Sequence, residues 1–557
     1  GYSAEELGTV KRNVPTTTQD EGLPSGYPKY GYTLSSVLGT TEEKKKMRDA
    51  LIAESSYLAA TGTSHNSGNP EEKSRYTWID KNGYLYKGTT AKPEKSLDKN
   101  DSHRKLYKHT ASVGLYMGDV ADNEVGVVKQ VTMRPRGYSG YGVTGLYAPA
   151  GEVIKVTIPE ADMNATGGLT FHIGQALYNG QANNIWTEKN QMQRIPVLLN
   201  TLTLSKNTTT YDENTKSYTG YIGSFIGGPI YIRNANVTYT AVISGAVNYP
   251  HFILGYTTKV EYEQYLKSSA PYFDLEVWSY GVLHSGPKLY AKSFSYEDLY
   301  KAAVLWEKVS SVTTTGSSQG IVFLYDPFVA AGGAVAFPGR RSVNCPAGWM
   351  ANSLNYNGIV NSGGWGNFHE YHHNFQGFGV GAGGEVTNNA MTLVSYALFT
   401  KISANRGVGS YGAQGLGGWN SYTSATWALD QALRIKNNGA SNGPRGLAIY
   451  ATLLHNFGAD NFIQSKVRQR TGSYGENYTG YLRAWQETTH NDMTYFWRNI
   501  LTGSYVDSTS GNNIGYGITD SVVNTYKNEA YPLFVPVSCL YQTGRSYTYD
   551  GIKKDFK

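Results

Sequence analysis

The 557-residue sequence predicts a multidomain protein of the α+β class, in which a β-rich part precedes a mainly helical part. A chain of this length exceeds what one hydrophobic core normally holds, which indicates roughly two to four domains. The spacing of apolar residues also changes along the chain, from a period of about two to one of about 3.6 after residue 290. We predict four segments, residues 1–115, 116–260, 261–505 and 506–557.

The composition favours a folded protein and excludes some functions. Apolar residues make up 40% of the chain and charged residues 17%, a balance typical of globular domains. The net charge of +6 is spread thinly, and the densest basic run, Lys44–Lys46, falls on a predicted helix, so nucleic acid is not an expected partner. The sequence contains no run of about 18 apolar residues, so it predicts no transmembrane segment. The chain starts at Gly1 without a signal-peptide pattern, so we expect a processed chain.

The first segment, residues 1–115, is predicted to be irregular apart from one helix. Thr40 and Glu43 have the spacing of a capping box, and apolar residues then recur at helical spacing up to Leu58. The remainder of this segment is polar and rich in turn-forming residues, so no function is assigned to it.

The second segment, residues 116–260, is predicted to be an accessory β-sandwich domain. β-Branched residues alternate with polar ones in several short stretches, which is the period-two pattern of strands. Examples are Val153–Ile158, Leu169–Ile173 and Pro229–Ile232. Many such strands at short spacing indicate a sandwich or a jelly roll.

The third segment, residues 261–505, is predicted to be mainly helical, with one strand at Gly320–Tyr325. Apolar residues recur at helical spacing in these stretches: Leu299–Val309, Asn367–Gln376, Val386–Ile402, Ala425–Ile435, Leu447–Asn456 and Met493–Leu501. Gly377, Gly439 and Gly458 follow three of them, at positions where helices commonly end.

The cysteines and the glycosylation sequons bear on whether the protein is secreted. Only Cys345 and Cys539 are present, and they can form one disulfide or remain two buried thiols. Asn-x-Ser/Thr sequons permit a secreted glycoprotein without requiring one. They occur at Asn100, Asn164, Asn207, Asn236 and Asn477.

The segment that indicates chemistry is residues 369–373, which have the pattern H-E-x-x-H. On a helix, residues i and i+4 project from one face, so His369 and His373 can bind one zinc ion. Glu370 lies about 100° further around the helix, where its carboxylate can reach a water molecule on the metal as a general base. Three aromatic residues on another face are expected to seat the helix in the core: Phe368, Tyr371 and Phe375.

A catalytic zinc site needs a third protein ligand, and Glu385 is the predicted one. The Gly-rich link from Gly377 to Gly384 allows the chain to reverse, and Glu385 then opens a second helix with an apolar stripe. Two histidines and a glutamate form the ligand set of a gluzincin. The alternative interpretation is a surface helix that carries His and Glu without a metal.

Around this site the sequence resembles the enhancin-like, mucin-directed metallopeptidases, peptidase family M-sixty. Their active site has the form W-G-x-x-H-E-x-G-H-x-x-Q, followed by Glu and then Asn. This chain matches it at Trp365-Gly366, His369-Glu370, His373, Gln376, Glu385 and Asn388-Asn389. His372 departs from the pattern, because the family usually has Gly there.

The resemblance covers about residues 120 to 505. Upstream landmarks are Thr144–Glu152, Arg194–Pro196 and Gly227–Ile232. Downstream, Leu453–Phe462 and Asn491–Ile500 are similar to late helices of the family. The N-terminal region and the last 50 or so residues are not explained by it.

The resemblance implies a secreted or cell-surface zinc endopeptidase that holds one Zn²⁺ and cleaves O-glycosylated, mucin-type glycoproteins. Aromatic rings stack on sugars and Asn amides bond to sugar hydroxyls, so glycan contacts are expected near the cleft. The candidate substrate-binding residues are Trp349, Trp365, Asn388, Trp419 and Tyr422. Two other classes stay open, a catalytically silent glycan-binding surface protein on the same scaffold and a structural adhesin.

Overall fold

The structure is a computed structural model of the chain. Its described residues lie in 120–133, 142–174, 200–313, 320–326, 334–401, 444–497 and 519–534, with short gaps inside these ranges, and in short strands elsewhere. The helices predicted between Thr40 and Leu58 and at Ala425–Ile435 lie outside the described residues.

In the first segment the structure describes five short strands. They are β1 (Thr17–Gln19), β2 (Tyr32–Thr33), β3 (Thr77–Ile79), β4 (Leu85–Thr89) and β5 (Lys92–Lys95). Strands β3, β4 and β5 form an antiparallel sheet, whereas β1 and β2 both pair with the first strand of the second segment.

The second segment is rich in strands, as predicted. Its strands are β6 (Val125–Met133), β7 (Gly142–Ala148), β8 (Val153–Pro159), β9 (Leu169–Ile173), β10 (Asn200–Leu204), β11 (Thr210–Asp212), β12 (Ser217–Gly223), β13 (Gly228–Ile232) and β14 (Tyr239–Asn248). A short helix, α1 (Glu160–Thr166), follows β8. The strands pair in the order β10-β9-β13-β7-β14-β8-β12-β11, with β6 beside β14.

Strand β14 connects the two halves of this sheet because its register shifts between Ser244 and Ala246. Before the shift it pairs with β6 and β8, and after it Val247 and Asn248 pair with β7. Gly245 lies at the shift with a φ of 104°, in the left-handed region that glycine adopts at low cost. Apolar side chains from both halves meet in one buried core. That the halves stack as a sandwich stays a prediction.

A mixed six-stranded sheet begins at the end of the second segment, with its first strand, and continues through the third, where the sequence predicts a single strand. Its strands are β15 (His251–Ile253), β16 (Tyr272–Val277), β17 (Val282–Pro287), β18 (Ile321–Asp326), β19 (Val335–Phe337) and β20 (Ser342–Pro346). Strands β17, β18 and β20 run parallel, and β19 is an antiparallel edge strand. Strands β16 and β17 are buried on both faces, so they lack the alternation that identifies a strand.

Nine further α-helices have described bounds. They are α2 (Lys259–Tyr265), α3 (Tyr296–Thr313), α4 (Trp349–Leu354), α5 (Tyr356–Ser362), α6 (Trp365–His373), α7 (Gly384–Phe399), α8 (Pro444–Thr471), α9 (Tyr478–Thr489) and α10 (Asp520–Tyr526). Helix α8 is interrupted at Gly458, where a φ of 80° breaks the helix at the predicted end. Among the described helices, none has the length and apolarity needed to cross a bilayer.

The remaining elements are short. Hairpins are formed by β21 (Ser504–Val506) with β22 (Asn513–Gly515) and by β23 (Tyr541–Gln542) with β24 (Arg545–Ser546). Of the helix predicted at Met493–Leu501, the structure describes residues 494, 496 and 497 as helical.

Cys345 lies on β20 and is a fully buried free thiol. The structure therefore decides against a disulfide at this position, and Cys539 lies outside the described residues. Burial raises the pKa of the Cys345 thiol, and the negative charge of Glu370 raises it further. The thiol is kept in its neutral form, which is the unreactive one.

The two large sheets meet at a buried polar cluster around Asp274 on β16. The hydroxyls of Tyr231 and Tyr249 donate hydrogen bonds of 2.9 and 2.5 Å to Asp274 Oδ2. Tyr231 also bonds to Ser285 Oγ at 2.7 Å. Tyr231 belongs to β13 of the first sheet, whereas Ser285 belongs to β17 of the second, so these bonds join the two segments across their interface.

Asp274 makes the stability of this interface depend on pH. Burial raises its pKa to about 6, although the bonds from Ser285, Tyr249 and Tyr231 act in the opposite direction. The folded protein therefore binds the Asp274 proton more tightly than the unfolded chain. The resulting stabilisation is complete below about pH 4 and is lost as the pH rises to about 6, by about 3 kcal/mol.

We expect Asp274→Asn to remove this dependence, because the amide does not titrate. The stability deficit of the variant relative to wild type should be largest at pH 4 and should shrink by about 3 kcal/mol by pH 6 to 7. The measurement is the free energy of unfolding of both proteins over this pH range. A deficit that is constant with pH would show that Asp274 does not titrate at the interface.

Candidate metal centre

Helix α6 presents two histidines on one face. His369 and His373 are one helical turn apart, and their Nε2 atoms lie 3.2 Å from each other. The two rings are nearly perpendicular, with an interplanar angle of 87°. The helix ends at His373, earlier than the predicted Gln376, because Asn374 forms the C-cap and its side-chain amide donates to the Glu370 carbonyl at 3.2 Å.

The carboxylate of Glu370 lies beside the histidine pair. Its Oε1 atom is 3.9 Å from His369 Nε2, and the side chain is 13% exposed. His369, Glu370 and His373 each offer one ligand atom, and these three atoms all lie within 4.8 Å of one another. The sequence-predicted ligands on α6 and the predicted base are thus brought together.

The opposite face of α6 is seated in the core, as the sequence predicts. Phe368, Tyr371 and Phe375 are all buried. The ring of Tyr371 is parallel to that of Phe323 on β18, with centroids 6.1 Å apart, and the ring of Phe368 lies 5.4 Å from that of Trp306 on α3. The Tyr371 hydroxyl also bonds to Thr313 at 2.9 Å. These contacts fix the rotation of the helix.

Helix α7 supplies polar contacts that orient the first histidine. Asn389 Oδ1 lies 2.6 Å from His369 Nδ1, and the amide nitrogen of Asn388 lies 3.0 Å from the same atom. The shorter contact favours the tautomer in which Nδ1 carries the proton and donates it to Asn389. In that tautomer the Nε2 atom of His369 carries the lone pair with which it can bind a metal. This role of Asn389 was not predicted, although an Asn-Asn pair inside an otherwise apolar helix is the signal that indicates it.

The second histidine is oriented in a similar way. Gln376 Oε1 lies 3.4 Å from His373 Nδ1, and the amide of Gln376 donates to Thr387 Oγ1 at 2.7 Å. Asn388 donates to His373 Nε2 at 2.9 Å, which requires a lone pair on that nitrogen as well. Gln376 is predicted only as part of the family motif, without a role, and the contact of Thr387 is not predicted.

Glu385 is the second residue of α7, one turn before Asn388 and Asn389. Residues separated by three or four positions share a helix face, so position 385 lies on the face that meets the histidines. Its side chain is outside the described part of the chain.

The predicted substrate-binding residues lie in different surroundings. Asn388 is fully buried against the histidines, and Trp365 is 6% exposed. Trp349 is half-buried, and its ring lies so close to Gly366 that a Cβ there would be 2.6 Å from the ring. Trp419 and Tyr422 are outside the described residues.

His372 points away from the histidine pair. It is fully buried, and its Nε2 atom bonds to Ser395 Oγ on α7 at 2.8 Å. Burial, aided by the charge of Lys466, holds the pKa of His372 well below its ordinary value, so the ring is neutral. It joins α6 to α7.

Comparison with known proteins assigns this region to a family. Residues 245–500 match the family model described as "Peptidase M60, enhancin and enhancin-like". Residues 127–244 match a second model, the N-terminal domain of M60-like peptidases. The two matches are contiguous, and the first one contains the whole histidine site.

Two curated relatives come from Entamoeba histolytica. Antigenic protein P1 is 27% identical over 424 residues, which are 73% of this chain and 36% of that protein. Antigenic protein NP1 is 30% identical over 353 residues, which are 59% of this chain and 51% of that protein. The chain thus spans about a third and about half of the lengths of these relatives.

A solved structure shares the fold. It is a mutant of a conserved protein of unknown function from Bacillus anthracis strain Ames, with a TM-score of 0.51 and 14% identity. The likeness covers 73% of this chain and 80% of that chain. This likeness is one of fold alone. The two contiguous family matches, over residues 127–244 and 245–500, show that this chain belongs to the enhancin and enhancin-like peptidase family.

Proposed function

We propose that the chain is a secreted or cell-surface zinc endopeptidase that cleaves O-glycosylated, mucin-type glycoproteins. The observation that supports it best is the pair of Nε2 atoms of His369 and His373, 3.2 Å apart, with the Glu370 carboxylate beside them. Membership of a peptidase family supports the reaction class.

The residues fit a zinc ion. A tetrahedral zinc with Zn–N distances of about 2.0–2.1 Å holds its ligand atoms about 3.3 Å apart, close to the separation of the two Nε2 atoms. The contacts to Asn389 and Gln376 engage the Nδ1 atoms, so both Nε2 atoms would face the ion. The Asn388 amide, which donates to His373 Nε2 at 2.9 Å, would give way to the metal there. His369, His373 and Glu385 would hold the ion. When bound, zinc polarises water and the substrate carbonyl, and this lowers the pKa of the water.

Glu370 is the proposed general base. Its carboxylate accepts a proton from the attacking water and then donates it to the leaving amine of the cleaved peptide bond. The side chain is mostly buried but not closed off, so it can meet both water and substrate. Its position beside His369 follows from the helix, since consecutive residues are offset by about 100°.

The mucin-type substrate rests on the family resemblance. Trp349 is half-buried near the start of α6, and an aromatic ring can stack on a sugar. Trp365, Asn388, Trp419 and Tyr422 stay the other proposed contacts. The alternative proposal is a catalytically silent glycan-binding protein, which would keep the fold but not hydrolyse peptide bonds.

Purified protein should contain about one zinc ion per chain, and His373→Ala should lose it, because two of three ligands cannot hold the ion tightly. His372→Ala is the control, since its ring bonds to Ser395 instead. Elemental analysis gives the zinc content, and circular dichroism checks folding. A folded wild-type protein that cannot be loaded with zinc would rule out the site.

Glu370→Gln should lower kcat by about 10²-fold or more, because the neutral amide cannot accept the proton. Folding and zinc content should stay unchanged, which separates the base from the ligands. The assay is cleavage of a glycoprotein by zinc-loaded protein. Near-normal cleavage by this variant would remove Glu370 from the mechanism, and absence of cleavage by wild type on every glycoprotein tested would favour the silent binding protein.

A matched pair of peptides tests the substrate class. One peptide carries a single GalNAc on a Ser or Thr, and the other has the same sequence without the sugar. We expect cleavage of the glycopeptide and little cleavage of the bare one, since sugar contacts supply part of the binding energy. Mass spectrometry of the products gives both rate and cut site. Equal cleavage of both peptides would contradict glycan dependence and leave the zinc peptidase proposal intact.

A further inference from the structure

The link between α6 and α7 is held from outside by helix α8. Gln469 on α8 is 2% exposed and bonds to both backbone groups of Gly379. Its Oε1 accepts from the Gly379 N–H at 2.6 Å, and its Nε2 donates to the Gly379 carbonyl at 2.8 Å. Nε2 also donates to the Gly475 carbonyl at 2.9 Å, so both the oxygen and the nitrogen of the side-chain amide are hydrogen-bonded.

A second residue of α8 holds the same link. The hydroxyl of Tyr450 accepts a hydrogen bond of 3.1 Å from the N–H of Val380. Gly379 has a φ of 98°, and a Cβ there would collide with the Tyr450 hydroxyl and would lie 3.1 Å from Thr387 Cγ2 on α7. Gly379 is thus enclosed between α8 and the first turn of α7.

The position of this link determines where α7 begins relative to His373. Gly379 is equally far along the chain from His373 and from Glu385. On the His373 side the backbone is tied through Gln376 to Thr387. In the middle, three hydrogen bonds from Gln469 and Tyr450 to Gly379 and Val380 prevent the link from shifting. In the described part of the chain, neither Gln469 nor Tyr450 is hydrogen-bonded to the two histidines.

From this geometry we infer that Gln469 is a positioning residue for the metal site. It holds the Gly379 link so that the first turn of α7 presents position 385 to the histidine pair. The inference rests on the proposed function, since it takes Glu385 as the third ligand. Gln469 is uncharged and does not touch the ligands on α6, so its removal changes the placement of the third ligand without changing the charge of the site.

The chain offers a matched control in Gln486 on α9. Gln486 is also buried, at 7% exposure, and it also bonds to backbone on both sides of its amide. Its Oε1 accepts from the Met493 N–H at 3.0 Å and its Nε2 donates to the Tyr526 carbonyl at 2.5 Å. Gln→Met keeps the length of either side chain but removes its hydrogen bonds. Both substitutions therefore leave buried backbone groups unpaired and should lower stability.

The test compares Gln469→Met with Gln486→Met by titrating zinc alone into the metal-free full chain in competition with a chromophoric chelator. Gln469→Met should weaken zinc binding roughly 10-fold or more, and zinc should dissociate correspondingly faster. Gln486→Met should bind zinc like wild type, although its melting temperature falls. Equal zinc affinity of Gln469→Met and wild type, or an equal loss in both variants, would overturn the inference.

Two outcomes are kept apart by the same titration. If wild type binds no zinc, the proposed function fails, whereas wild-type binding with an unaffected Gln469→Met contradicts only the positioning role. Should Gln469→Met not fold, Tyr450→Phe removes one bond to the same link and keeps the ring. It should weaken zinc binding by several-fold, and a wild-type affinity in Tyr450→Phe would then decide against the inference.

Discussion

The packing of α6 against α3 and the second sheet is the contact on which the site depends. The buried face of α6 sets the rotation of the helix and therefore the direction in which its histidines point. A rotation by one residue, about 100°, would turn them away from α7. The parallel rings of Tyr371 and Phe323, the Trp306–Phe368 contact and the hydroxyl bond from Tyr371 to Thr313 exclude such a rotation. Ordinary core packing therefore sets the direction in which the metal-binding face points.

With the rotation of α6 fixed, the polar residues of α7 lie where they can bond to its histidines. Buried amides are costly unless they are paired, and those of Asn388 and Asn389 are directed at the imidazoles. The imidazoles gain defined proton positions in return. Ser395, one to two turns further along α7, serves His372 in the same manner. The interface between α6 and α7 is consequently a polar seam inside an apolar core, and each member limits the protonation state of its neighbour.

The sequence predicts the central part of this arrangement well and its surroundings poorly. H-E-x-x-H spacing is a local property of one helix, so His369, Glu370 and His373 could be placed before any fold was known. In the second sheet only β18 is predicted, at Gly320–Tyr325. The other strands are missed largely because burial on both faces removes alternation, as in β16 and β17. Thr387 and Gln469 act across distances that local patterns do not encode. Their contacts depend on which helices become neighbours, and that is decided by tertiary packing.

The close contact between Trp349 and Gly366 has a consequence for how such chains diverge. The indole lies directly on the backbone of α6 because Gly366 has no side chain to hold it off. Any replacement of the glycine would displace the ring from the start of the helix, and loss of the ring would leave a gap over the glycine. Neither residue can drift alone at low cost, so related chains should retain the two as a pair or exchange both together.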